Sequence, residues 1–209
     1  MIAIVDYGVG NLFSLRCSLS ALGQDALVTG DARAIRSADR IILPGVGAFG
    51  DAAQKLRATG LADTVKEEAA KGKLLLGICL GMQLLLDQSE EYGVHPGLSL
   101  IPGQIRAISS VIPADYKIPH MGWNAPRFPG EKHPLFRKIR EGDCVYFVHS
   151  FAGFDCERHV IATAEYGAHL TAAVARGNVM GTQFHPEKSG EVGLKILQAF
   201  CEMKEGDLC

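Results

Sequence analysis

Three short strings in this 209-residue chain bring together residue types suited to chemistry. The first is Leu74-Leu75-Leu76-Gly77-Ile78-Cys79-Leu80-Gly81-Met82-Gln83: an apolar run, a G-x-C-x-G segment and the start of a helical pattern. A strand that turns sharply into a helix presents the residue at the turn as a nucleophile, and here cysteine stands where such elbows usually carry serine. The two glycines let neighbouring backbone pass close by, and a helix N-terminus favours thiolate over thiol. The other reading of such a cysteine is a buried thiol with a packing role. That is the reading expected for Cys17 and Cys201, each on a helical stretch, and for most of the cysteines.

A thiolate that attacks an amide needs a proton-transfer partner and a group to orient it. Among seven histidines, His185 in Gly181-Thr182-Gln183-Phe184-His185-Pro186-Glu187 is best placed. It follows an apolar strand, Pro186 fixes φ, and in an extended segment Glu187 points the same way and can hold the imidazole in one tautomer. Taken alone, the string also fits a loop histidine beside a surface glutamate. The third string, Leu43-Pro44-Gly45-Val46-Gly47-Ala48-Phe49-Gly50, offers unhindered backbone N–H groups. An oxyanion needs such donors beside the N–H of the residue after the nucleophile, here Leu80. The same residues match the G-x-G-x-x-G of dinucleotide sites, and a plain strand-to-helix turn would use the glycines equally well.

These strings require a frame of strands and helices. Ile2 to Val5 is an apolar strand ended by a glycine-rich turn; Asn11 then suits the N-cap of a helix with Leu12, Leu15, Leu19 and Leu22 on one face and Gly23 at its end. Ala26 to Thr29 and Arg40 to Leu43 are short strands. A helix follows Gly50, residues 61 to 71 are helical, Leu74 to Ile78 is a buried strand and Leu80 to Leu86 opens a helix, so the order begins β, α, β, β, α. Cys144 to Val148, Val160 to Glu165, Leu170 to Arg176 and Asn178 to Phe184 are close enough together to pair antiparallel. Residues 89 to 103 and 126 to 134 are loops, and a last helix from Ser189 turns Val192, Ile196, Leu197 and Phe200 to one side. The expectation is one α/β domain over residues 1–209: a mainly parallel central sheet with helices on both faces and a smaller antiparallel β portion.

Composition narrows the function classes. With 47% hydrophobic residues and 21 basic against 23 acidic side chains, the chain has no basic footprint for nucleic acid and no polybasic membrane patch. Its apolar runs are too short for a bilayer span and no export signal can be drawn, so the expected location is the cytoplasm, with free thiols. The cysteines show neither C-x-x-C pairs nor zinc spacing, so no metal and no cofactor is expected.

With these strings in hand, the sequence resembles the class I glutamine amidotransferases, whose glutaminase domains carry a Cys-His-Glu triad. Asp6-Tyr7-Gly8-x-Gly10-Asn11 and Pro119-His120-Met121-Gly122-Trp123-Asn124 resemble the branch of that family that pairs with a (β/α)₈ cyclase subunit in histidine synthesis. The resemblance implies glutamine as substrate, Cys79, His185 and Glu187 as catalytic residues, and Val46, Gly47 and Leu80 at the oxyanion. It implies a glutamine pocket formed by Gly45, Gln83, His149, Ser150 and Phe151, the last standing where relatives often carry tyrosine. Asn11, Trp123 and Lys188 are the implied partner-facing positions, Trp123 also fitting an ordinary core aromatic. Gly45 is expected to let the Gly45–Val46 peptide turn its N–H toward or away from the oxyanion. Roles for Cys144, Cys156, Cys209 and His120 stay open. Two other classes use parts of the same constellation: a stand-alone γ-glutamyl hydrolase or cysteine peptidase, and a catalytically silent module binding a nucleotide on its glycine loop.

Overall fold

A computed structural model describes residues 1–207, so Cys209 lies outside the described residues. The chain runs β1 (Ile2–Val5), α1 (Leu12–Ala21), β2 (Ala26–Thr29), α2 (Ala32–Ser37), β3 (Arg40–Gly45), α3 (Phe49–Ala58), α4 (Leu61–Ala70), β4 (Leu74–Cys79) and α5 (Leu80–Leu84). It continues through β5 (Gln88–Ser89), β6 (His95–Pro96), β7 (Gln104–Ala107), β8 (His120–Asn124), β9 (Val145–His149) and β10 (Phe151–Phe154). It closes with β11 (Val160–Glu165), β12 (His169–Arg176), β13 (Val179–Thr182) and α6 (Gly190–Glu202).

Seven strands form the central sheet in the order β11-β12-β13-β4-β3-β1-β2. From β13 to β2 the neighbours are parallel, while β12 and β11 add an antiparallel edge. Alternation along the strands sorts the core onto two faces. Ala3, Val5, Ile41, Leu43 and Leu75 face the helices α2, α3 and α4 through Ile35, Phe49, Leu56, Leu61 and Val65. Ile4, Ile42, Leu74, Leu76 and Ile78 face α1 and α6 through Leu15, Leu19, Ile196, Leu197 and Phe200.

The expected frame is found with several differences, and the stretch expected as a loop over residues 89 to 103 holds the short strand β6. A short helix, α2, separates β2 from β3; Asp31 starts it by accepting a hydrogen bond from the Arg33 N–H at 3.0 Å. Asn11 stands at the N-cap of α1, yet its side chain makes no capping bond. β9 leaves the antiparallel edge to pair with β8, and β10 joins β7, β5 and β6 in a separate sheet. The cysteines divide: Cys79, Cys156 and Cys201 are buried, whereas Cys17 and Cys144 are exposed, because Cys17 falls on the outer face of α1 and Cys144 precedes β9. Among the described residues, no helix is long and apolar enough to cross a membrane.

Candidate active site

The sheet register assembles the three strings. Gly45 at the end of β3 pairs with Cys79 at the end of β4, and Thr182 at the end of β13 pairs with Ile78. Loops beyond the carboxyl ends of parallel strands are where such sheets place their sites. The chain passes from β4 into α5 without a linking residue, so Cys79 takes φ 54° and ψ −111°, a left-handed conformation for a residue with a side chain. Strain of this kind costs about 1–3 kcal/mol and persists only where packing dictates it. Here the packing is backbone on backbone: a Cβ on Gly81 would run into the Leu43 carbonyl, and one on Gly77 would lie 2.7 Å from the Gly81 carbonyl oxygen.

Gly45 serves the same close approach. A Cβ there would sit 2.8 Å from the Tyr7 hydroxyl and 2.9 Å from the Gly81 nitrogen. The left-handed glycine of this loop is Gly47, at φ 93°, so the expected freedom at Gly45 is in this structure a packing requirement. Tyr7 lies beneath the loop, its hydroxyl donating to the Pro44 carbonyl at 2.8 Å. Burial pushes its pKa up, and the neighbouring Cys79 adds to the rise.

His185 Nδ1 lies 2.8 Å from Glu187 Oε1, with both side chains 3% exposed. Burial alone would lower the His185 pKa, but the interactions with the Cys79 sulfur and the Glu187 carboxylate outweigh it and raise the pKa to about 9. The ring therefore carries its proton near neutral pH, with Nδ1 on Glu187 and Nε2 toward sulfur. The expected extended geometry holds at His185 only. Residues Pro186–Lys188 form a 3₁₀ turn, and that turn carries the carboxylate back to the ring. Ser189 fastens it, donating to the His185 carbonyl at 2.6 Å and accepting from the Tyr146 N–H at 3.0 Å. α5 is little more than one turn long, too short for a full helix dipole.

A cavity of about 350 Å³ opens over the thiol. Val46, Gly47 and Leu80 line it beside Cys79; Gln83, His149, Ser150 and Phe151 form another wall; His185 and Lys188 complete it. Gly45 is absent from this wall, lying in the strand beneath. Glu91, which belongs to none of the motifs, also lines the cavity. Its carboxylate accepts from the Phe49 N–H at 2.6 Å, supplying the cap that Ala48 cannot, and gives the cavity a negative wall suited to a ligand ammonium.

Behind the wall the polar groups are paired. Gln83 Nε2 donates to the Phe151 carbonyl at 3.1 Å, and His149 Nδ1 lies 2.9 Å from the same oxygen. Phe151 thus contributes its backbone carbonyl to this network. Burial lowers the His149 pKa to about 3, so its neutral ring donates from Nδ1, while Nε2 lies 3.0 Å from His120 Nδ1. His120 is fully buried and stacked on Tyr166 at 4.1 Å, which gives this unassigned residue a place in the pocket's support.

The three positions expected to face a partner lie around the same edge. Trp123 is 56% exposed and rests edge-on against Tyr146, whose carbonyl accepts from the His185 N–H at 3.0 Å. Lys188 is exposed and Asn11 half-buried. Met121, 63% exposed, extends the apolar surface beside Trp123. Among the described residues, no group of three or more His, Cys, Asp or Glu side chains is placed to hold a metal ion.

Comparison with known proteins gives three findings. The family model for glutamine amidotransferase class-I matches residues 3–203. The imidazole glycerol phosphate synthase subunit HisH of Sulfurimonas denitrificans is 48% identical over 206 residues, covering 98% of this chain and 99% of that protein. The protein of the same name from Geobacillus sp. (strain WCH70) is 49% identical over 210 residues, covering 99% and 98%. Among solved structures, a glutamine amidotransferase superposes with a TM-score of 0.75 at 19% identity, covering 97% of this chain and 98% of that one. PurLQS from Thermotoga maritima gives 0.71 at 20% identity, covering 96% of each chain. At those identities the structures speak for the fold alone.

Proposed function

The chain belongs to the class I glutamine amidotransferases, and from that premise we propose that it is the glutaminase subunit of an imidazole glycerol phosphate synthase, folded as one domain. The relatives of that name match it at 48% and 49% identity over nearly their whole length. The single observation that carries the chemistry is the convergence of Cys79, at a strained elbow, with the His185–Glu187 pair in one cavity.

Cys79 sulfur attacks the side-chain carboxamide carbon of glutamine. The oxygen that gains charge is held by the backbone N–H groups of Leu80 and Val46, with Gly47 adjacent. His185 passes its proton to the departing nitrogen; the C–N bond breaks, ammonia leaves, and a γ-glutamyl thioester remains on Cys79. The neutral imidazole then takes a proton from water, whose oxygen attacks the thioester, releasing glutamate and the free thiol. Gln83, Ser150 and the Phe151 backbone shape the glutamine pocket, and Glu91 receives the α-ammonium.

The partner in this reading is a (β/α)₈ cyclase subunit that receives ammonia directly, forming a heterodimer in the cytoplasm. Asn11, Trp123 and Lys188 face it, supported by their position around the catalytic edge and by the exposure of Trp123 and Met121. Ammonia release from glutamine, measured for the chain alone and with the cyclase plus its nucleotide ligand, tests the reading. Stimulated release supports it; equal release with and without the partner returns the chain to an independent hydrolase.

A further inference from the structure

The back of the cavity holds an amide pair that the thioester chemistry above leaves unused. Gln83 Nε2 lies 3.1 Å from the Phe151 carbonyl oxygen and 3.1 Å from Gln183 Oε1; Gln183 Nε2 lies 3.8 Å from Cys79 Sγ. Carboxamide nitrogen and oxygen are hard to tell apart by shape, but here the network assigns them. A backbone carbonyl can only accept, so the Gln83 nitrogen must face Phe151. Its second hydrogen then meets the Gln183 oxygen, and the Gln183 nitrogen is left facing the sulfur.

Nothing lets Gln183 turn away. It is fully buried, and its backbone N–H is held by the Ala172 carbonyl at 2.8 Å. It precedes His185 by two residues, so one segment brings two N–H donors to the same sulfur. We infer that Gln183 is a positioning residue for the nucleophile: its amide N–H, aimed by Gln83 and the Phe151 carbonyl, holds the Cys79 sulfur directed into the cavity. Its task differs from that of the oxyanion donors, which act on the substrate oxygen. The inference rests on Cys79 being the nucleophile and deepens that reading.

A donor to sulfur favours the thiolate and tempers its nucleophilicity. The test is the pH profile of iodoacetamide alkylation, read by mass spectrometry on the Cys79 peptide because the exposed Cys17 and Cys144 are alkylated as well. In Gln183→Met the midpoint moves up by about one pH unit, and the limiting alkaline rate rises roughly threefold. A packing role alone would not move both together. An unchanged midpoint in a folded Gln183→Met protein overturns the inference. Gln83→Met, which keeps Gln183 but removes the group that aims it, moves the midpoint the same way by less. If Gln183→Met does not fold, Gln83→Met decides alone, and an unmoved midpoint there overturns the inference. Ammonia release from glutamine is measured separately: its absence counts against the glutaminase reading, while the alkylation shift still reports on Gln183.

Discussion

The central sheet carries a cavity at each end, and the two are opposites. The one over the carboxyl ends of β3 and β4 has a volume of about 350 Å³; the one at their amino ends, beside Arg40 and Leu74, is larger at about 540 Å³. The larger cleft is rich in charge, yet its charges hold helix ends. Lys73 Nζ donates to the carbonyls of Ile35 and Arg36 in the last turn of α2 and pairs with Glu68 at 2.6 Å. Arg40 donates to the Phe200 and Met203 carbonyls at the end of α6. Basic side chains on helix carboxyl ends are a means of stabilising a fold. In the smaller cavity the order is reversed: Cys79 is strained, a histidine keeps its proton above its ordinary range, and buried amides lie beside the sulfur. What marks the site is strain and directed polar groups, not size or charge.

Mutations at the two ends therefore divide between rate and stability. The largest separation is expected for Cys79→Gly, which removes the nucleophile and the strain at φ 54° together. Ammonia release falls to the uncatalysed background, a loss of about 10⁴-fold or more, while stability in urea rises by about 1 kcal/mol. A fall in stability would break the claim that the elbow is strained. Glu187→Gln comes next, with kcat down about 10²- to 10⁴-fold because the imidazole loses its fixed tautomer. Its alkaline limb also moves below that of the wild type, since Glu187 helps to raise the His185 pKa.

The pH dependence sharpens the contrast within the site itself. His185, raised to about 9, contributes stability that is full below its ordinary 6.5 and is lost as pH rises through about 9; the rate loses its proton donor over the same alkaline range. His149, lowered to about 3, works in the opposite sense: its contribution is full above 6.5 and is lost as pH falls from 6.5 toward 3. Urea midpoints across pH 4 to 10 read both, and His149→Gln should shrink the acid component while leaving the alkaline one, with His120 and His133, also lowered by burial, keeping the remainder. The smallest effect on rate belongs to the far cleft. Lys73→Met is expected to lower stability by about 1–3 kcal/mol, by leaving the buried Glu68 carboxylate with a partner fewer, and to leave ammonia release from the complex unchanged. A slowed enzyme would break the division between the two ends.

How much of this was legible in the sequence depends on the range of the interaction. The elbow, the His-Pro-Glu turn and the glycine loop are local patterns, and the continuous apolar strands that carry them read directly as a parallel sheet. The smaller sheets were harder, because β8 holds Gly122 and an alternation in which Met121 and Trp123 face outward. The short α2 has too few residues to show a helical period. Glu91, Tyr7 and His120 reach the site from distant parts of the chain: one caps α3, one supports Pro44, one sits behind His149. The identity of such side chains says little about a role that only tertiary contact creates. Gln183 belongs to the His185 string, but its amide acquires a direction only when Gln83 and Phe151 stand beside it.

The central claim is that Cys79 carries the glutamyl group. Acid-quenched turnover of glutamine by the complex with its cyclase, followed by mass analysis of the Cys79 peptide, tests it most directly. A γ-glutamyl increment on Cys79 that disappears without glutamine is expected; ammonia release with no increment on any cysteine, or release that survives Cys79→Ala, rules out a Cys79 thioester.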